Sequence, residues 1–419
     1  MKRLKPKSEF SRNIITLMTG TSIAQAIPIA ISPILTRIYS PDDFGTFALY
    51  MSIVSIVAIF ATGKYDLAIM IPKRDHDAIH IVVLSMFITI MISMVSLLVV
   101  IIFNENITDL LNNKSISNWL YLLPLSIFLT GIYQSINYWL NRKKGYKQLA
   151  ISRVVQSGTS STANLGFGMG GFNASGLIIG GVLGQIIATT ILGRLVYISD
   201  SEKLKDIRTD NMLKMAKKYI TFPKYVMASE FVTVLLFQLP ILFLSMFFNI
   251  AIVGFYNLVQ RILGMPMNLL SRSVSDVFKE KASSDYNKNG QCKDIYLKTL
   301  KILIALGIIP FSILFFYAPD IFSFVFGEKW ITSGEFAQIL SIMFFLKFVS
   351  SPLSYMFYIV NQQKKDLIYH VYLLVSSVLI FHIVKDINTV LILYSINYSF
   401  IYILYIILSY KYAKGVNID

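Results

Sequence analysis

Charge is what this 419-residue sequence has least of. Asp, Glu, Lys and Arg make up 15% of it, against roughly 25% in ordinary soluble domains, which argues against a water-soluble globule. Cysteine is reduced to Cys292 alone, so no intramolecular disulfide can form and redox chemistry is not expected. Histidine occurs four times. His76 and His80 have i, i+4 spacing but sit in a polar turn without a third ligand, while His370 and His382 stand alone, so no metal centre is expected. The glycine-rich stretch Gly166 to Gly176 lacks the Lys-Ser or Lys-Thr of a phosphate loop, and no ATPase signature occurs elsewhere. Neither a nucleophile–base arrangement nor carboxylates at useful spacing can be read out, so the chain is expected not to be an enzyme.

What remains is apolar. Hydrophobic residues reach 55% and mean hydropathy is +0.62. They gather into runs of about 20, the length that crosses a ~30 Å hydrocarbon core as helix. A β-barrel would show strands of ~10 residues with alternating polarity instead of solid blocks. The expectation is an all-α polytopic membrane protein of about twelve transmembrane helices, near 14–38, 44–71, 78–103, 118–140, 150–171, 176–197, 222–246, 251–277, 299–318, 335–360, 367–384 and 389–410.

The net charge of +15 would suggest nucleic acid in a soluble protein. Here 31 of the 38 Lys and Arg fall in alternate connecting segments or the span ends that adjoin them. The other connecting segments hold only Lys114, Lys329 and Lys385. By the positive-inside rule both termini are expected to be cytoplasmic. The basic excess is then a topology signal with membrane lipids as its nearest partner, and no nucleic-acid partner is expected. The basic arm from Lys2 to Arg12 precedes an apolar run too long for a signal peptide and without a cleavage site, so it reads as the start of a retained first span.

An internal repeat runs through the chain. Phe44-Gly45-Thr46-Phe47 parallels Val253-Gly254-Phe255-Tyr256 at an offset of 209, and Tyr138 to Lys144 parallels Tyr358 to Lys364 at 220. Six spans per half preserve orientation, so the repeat is parallel and predicts two six-helix lobes. Residues 1–198 form the first lobe, 199–221 a cytoplasmic amphipathic linker, and 222–419 the second lobe. Pro28 and Pro33 interrupt the first span, either to line a cavity or to kink the helix for packing. Gly176, Gly180 and Gly184, at four-residue spacing, mark close helix packing.

A few charged side chains lie within the spans. Lys64 and Asp66 fall in the second, Arg261 and Lys347 deep in the eighth and tenth, and Glu230 two turns into the seventh. A charge there costs roughly 2.5–3.5 kcal/mol on insertion scales, so it faces protein or a water-filled cavity. One reading is a set of buried ion pairs, such as Glu230 with Lys347 or Arg261, that locks helices together. The other is a polar cavity faced by the second and eighth helices. With Arg37 counted, cations outnumber acids four to two, and an excess of positive charge favours an anionic ligand. Arg37 itself ends the first span beside Tyr39 and Asp42, where interface anchoring is the plainer role. Asp66 and Glu230 are candidates for ion coupling or ion pairing.

Several phrases resemble a known family. Pro33-Ile34-Leu35-Thr36-Arg37-Ile38-Tyr39-Ser40-Pro41-Asp42-Asp43-Phe44-Gly45 and Gly63-Lys64-Tyr65-Asp66-Leu67-Ala68-Ile69 look like the Wzx-type oligosaccharide flippases. So do Arg261-Ile262-Leu263-Gly264-Met265-Pro266, Ala318-Pro319-Asp320-Ile321-Phe322, and Val325-Phe326-Gly327-Glu328-Lys329-Trp330 followed by Gly334-Glu335-Phe336. The family more usually carries Arg-Tyr-Glu where this chain has Lys64, Tyr65 and Asp66. The resemblance implies a V of two six-helix lobes, shared with MATE exporters and lipid II flippases. It implies transport of an undecaprenyl-diphosphate-linked oligosaccharide from inner to outer leaflet by alternating access, for O-antigen or capsule. Arg261, Lys64, Lys347 and Arg37 become candidate substrate-binding residues. No cofactor is expected beyond proton or sodium coupling. Partners would be the lipid-linked oligosaccharide, membrane lipids, a polysaccharide polymerase and chain-length proteins. A cation-coupled multidrug exporter of the same fold and a non-transporting scaffold stay open as alternatives. Lipid II flippases usually carry two further spans.

Overall fold

The computed structural model describes residues 9–205 and 207–415, and among them there is helix and no strand. Each of the twelve predicted stretches is helical, in whole or in part. Eight helices are long and apolar enough to cross a membrane on their own; a ninth arises if Lys114–Leu120 and Leu123–Arg142, bent by 52°, count as one. Of the other three stretches, one is polar, one is broken by a turn and one carries a π-turn. The chain divides into two compact units, Met1–Met246 and Phe247–Asp419.

The first unit holds α1 (Glu9–Ile38), α2 (Pro41–Val57), α3 (Tyr65–Ala68), α4 (Asp75–Leu110), α5 (Ser117–Leu120), α6 (Leu123–Arg142), α7 (Tyr146–Met169), α8 (Asn173–Lys205), α9 (Thr209–Lys218) and α10 (Met227–Phe247). The predicted lobe boundary follows the repeat and falls before α10, whereas contacts place α10 with the first unit. Glu230 pairs with Lys64, Phe231 packs on Phe60, and the Ser245 hydroxyl donates to Leu111 O at 2.8 Å.

The polar span, α7, is paid for by its neighbours. Pro28 has no N–H for the carbonyl of Ala24 four residues back, and that oxygen instead accepts from Ser157 Oγ of α7 at 2.6 Å. Arg153 Nη1 donates to Thr21 Oγ1 at 2.6 Å, and Gln156 of α7 bonds Gln185 of α8. With these bonds made, α1 runs unbroken through both prolines. The glycine stripe on α8 lets it lie against α7: a Cβ at Gly184 would come within 1.9 Å of Ser160 Oγ. Gly184→Leu should therefore force the two helices apart, costing ~1–3 kcal/mol or more. The expected result is a lower thermal aggregation temperature in detergent and less protein in the membrane fraction.

Helix α9 lies in the stretch expected as an amphipathic linker. Its apolar residues are spent on protein: Met212, Met215 and Ala216 pack against a core containing Tyr65, Ile79, Val82, Trp139 and Tyr219. His80, fully buried, bonds His76 O through Nδ1 at 2.6 Å and accepts the Arg208 amide at Nε2. The Tyr65 hydroxyl donates to Ala216 O at 3.0 Å. Leu213, Lys214, Lys217 and Lys218 are left exposed.

The second unit holds α11 (Ile250–Val259), a π-turn (Gln260–Gly264), α12 (Met265–Asn289), α13 (Lys293–Phe326), α14 (Ile331–Leu353), α15 (Met356–Ile359), α16 (Gln363–Ile383) and α17 (Ile387–Ala413). Helices α2 and α11 begin alike. Ser40 and Asn249, again 209 apart, are both N-cap residues: Ser40 Oγ accepts from the Asp43 amide and Asn249 Oδ1 from the Ile252 amide. Three sequence phrases of this half pack on one another. Phe255 stands edge-on to Trp330 and Phe336 at 5.8 and 6.4 Å between ring centres, and its carbonyl accepts from Ser333 Oγ. Gly334 lies against the backbone of Ala318 and Pro319. Cys292 is buried against Met356 Sδ, and burial, with Asp285 nearby, pushes its thiol up to about 11.

Candidate functional site

The second span breaks where its charge lies. After Val57 the chain leaves the α-helix, turns through Gly63 (φ 57°) and Lys64 (φ 59°), and resumes helix at Tyr65. Glycine takes this left-handed conformation freely, but at lysine it costs roughly 1–2 kcal/mol. Thr62 ties the turn: its hydroxyl accepts the Lys64 amide at 3.3 Å and donates to Asp66 Oδ1 at 2.6 Å. Thr62, Lys64 and Asp66 are all buried. Below the turn, Arg142 at the end of α6 bonds Ile69 O and Asp75 Oδ1 and, with Lys143, pairs with Asp75. The elbow is thus held at both ends.

Glu230 of α10 completes the cluster by pairing with Lys64. The side chains are unequal, Lys64 10% exposed and Glu230 41%. The rings of Phe60 and Phe231 pack beside the pair at 5.5 Å, and Tyr138 on α6 lies within electrostatic reach of Asp66 and Glu230. As one example of a buried ion pair the sequence offers Glu230 with Lys347 or Arg261; in the structure Glu230 pairs with Lys64. The elbow therefore gathers two carboxylates around one ammonium, the reverse of the balance counted over all spans.

The other cations lie elsewhere. Arg37 is exposed at the end of α1, with Nη1 bonded to Pro33 O at 2.9 Å. From there α2, with its 17 residues, carries the chain about 25 Å before the elbow begins, so Arg37 and Lys64 stand at opposite ends of α2. Arg261 and Lys347 belong to the second unit. Arg261 rides on the π-turn within the eighth span, and π-turns inside α-helices recur at functional sites. The last residue of that turn, Gly264, lines a cavity of about 20 Å³ with Met267, Ser271, Phe344, Lys347 and Phe348, room for about one water. Gln260 Nε2 donates to the buried Tyr256 hydroxyl at 2.6 Å. On another face of α14 an apolar groove of about 210 Å³ is lined by Phe311, Phe315, Phe316 and Phe345.

Thr62, Tyr138 and Phe231 carry no charge and were not singled out from sequence. Thr62 had a signal, a hydroxyl four residues before Asp66 with Gly63 between. Tyr138 and Phe231 come from distant helices and had none.

Residues 34–335 match the family described as "Polysaccharide biosynthesis protein". The succinoglycan biosynthesis transport protein ExoT of Rhizobium meliloti (strain 1021) is 20% identical over 313 residues, 74% of this chain and 61% of that protein; this chain therefore spans less than two thirds of its relative's length. Among solved structures, the inward-closed lipid II flippase MurJ superposes with a TM-score of 0.71 at 16% identity, covering 95% of this chain and 87% of that one. An inward-facing MATE-family multidrug resistance transporter of the MOP superfamily superposes at 0.70 with 16% identity, covering 94% and 93%. At such identities the likeness is one of fold.

Proposed function

The chain belongs to the polysaccharide biosynthesis protein family, and from that premise we propose that it carries a diphosphate-linked oligosaccharide on a polyprenyl lipid across the bacterial plasma membrane by alternating access, both termini inside. The observation that carries this reading is that the second and eighth spans each depart from regular α-helix at a cation, Lys64 at the left-handed turn that breaks the second and Arg261 in the π-turn within the eighth. Helices are broken within a membrane only where protein or an aqueous cavity takes up the freed backbone groups, and cations there draw phosphate. Lys64 and Arg261, with Lys347, supply affinity for the head group, while the prenyl chain stays in hydrocarbon. Arg37, exposed at a helix end, is the weakest of the four candidates. Asp66 and Glu230 are the groups through which a proton or sodium ion would enter the cycle. Deleting the gene should make one lipid-linked oligosaccharide accumulate on the inner leaflet, and mass spectrometry of extracted lipids identifies it. An unchanged lipid-linked pool together with lost surface polysaccharide would point instead to a scaffold for the polymerase and chain-length proteins.

A second reading, export of cationic drugs, draws on the two carboxylates around Lys64. It requires a drug-susceptibility panel on the deletion strain to show sensitisation while surface polysaccharide is normal.

A further inference from the structure

The pairing at the elbow is lopsided, and the imbalance suggests a use. Lys64 is fixed: its backbone is left-handed, its amide is bonded to Thr62 and its side chain is nine-tenths buried. Asp66 is also fixed, buried under the Thr62 hydroxyl. Glu230 is the one member with its side chain substantially exposed, on a helix whose contact with Lys64 is made by that side chain. We propose that Glu230 is a resident competitor for Lys64: in the empty site its carboxylate holds the ammonium that a diphosphate head group takes during transport. The inference rests on the phosphate-carrying reading above and adds to it a mechanism of regulation.

Asp66 and Glu230 both lie beside the one ammonium, so an incoming diphosphate has to take Lys64 from a carboxylate. The groups that face this exchange are Lys64 and Asp66 at the elbow and Tyr138 on α6; the neighbouring Tyr65 hydroxyl is committed to Ala216 O. Asp66 keeps its bond from Thr62, so Glu230 is the acid that swings away. No covalent bond forms or breaks, and the phosphate replaces the carboxylate on Lys64.

The test uses the purified full chain in nanodiscs and farnesyl diphosphate as the probe, by calorimetry. Glu230→Gln should bind up to about fivefold tighter than the wild type, the range for removing a partly exposed competing pair. Glu230→Asp, whose shorter arm holds Lys64 less well, should tighten binding by less. Lys64→Met should weaken binding, and Glu230→Gln added to it should change nothing further. Wild-type binding with Glu230→Gln equal or weaker overturns the exchange and leaves the carrier reading standing. Absence of binding by wild type and Glu230→Gln alike overturns the carrier reading and the exchange with it.

Discussion

Cells carrying Arg261→Ala should lose surface polysaccharide while the protein stays at its normal level in the membrane. The direction follows from what the guanidinium costs. Arginine cannot shed its proton, and holding it at membrane depth costs roughly 2.5–3.5 kcal/mol on insertion scales. Removing it from the π-turn therefore leaves insertion unharmed or improves it. A charge retained at that cost must return something in function. Truncating a buried charge that pairs with phosphate loses ~2–5 kcal/mol of binding, which corresponds to a fall in export of roughly 30-fold or more. Arg261→Lys should recover part of the export, because an ammonium keeps the charge but not the two-pronged geometry. Quantitative immunoblotting of membranes beside polysaccharide staining checks both halves. Full export by Arg261→Ala removes Arg261 from the substrate path, and loss of the protein itself assigns the residue to helix locking.

At the elbow, Lys64→Met and Thr62→Val should separate function from folding. Lys64→Met leaves behind Glu230, whose side chain is 41% exposed and can be hydrated. Breaking so exposed a pair costs at most ~1 kcal/mol, so the melting temperature should barely move while export drops by about tenfold or more, as expected when a charge-assisted contact is lost. Thr62→Val takes a donor from Asp66, which is buried. A carboxylate left short of a hydrogen bond there costs ~1–3 kcal/mol, and the same change frees the Lys64 amide. That variant should show lower thermal stability and lower membrane levels. Thermal shift in detergent and an export assay in cells distinguish the two. Equal stability losses in both variants would make the Lys64–Glu230 pair a structural clamp.

Much of the scaffold was readable from residues in order. The apolar runs mark the helices because hydrocarbon demands a satisfied backbone over a fixed length. The Gly176–Gly180–Gly184 stripe announced tight packing, and it does lie against α7. The phrase around Gly254, the Ala318-Pro319 pair and the Trp330-to-Phe336 motif are separate strings in sequence, yet each reads as a packing motif once they are seen to touch. The elbow was less legible. Its charges stood out against apolar neighbours, but nothing local says that Gly63 and Lys64 turn left-handed or that the helix stops at Val57.

The amino-acid order by itself determined that this is an all-helical membrane protein with cations set into three of its spans, since hydropathy and charge act on each segment separately. Tertiary structure alone decided which charges meet. Lys64 and Glu230 are 166 positions apart in sequence, and neither segment specifies the other. Their pairing depends on α10 packing beside the elbow through Phe60 and Phe231. Likewise α9 docks on the first unit through the Tyr65 and His80 bonds, an outcome its own amphipathic pattern left open between protein and lipid. Partner choice is set by shape and burial across helices, and such terms have no signature in a single stretch of chain.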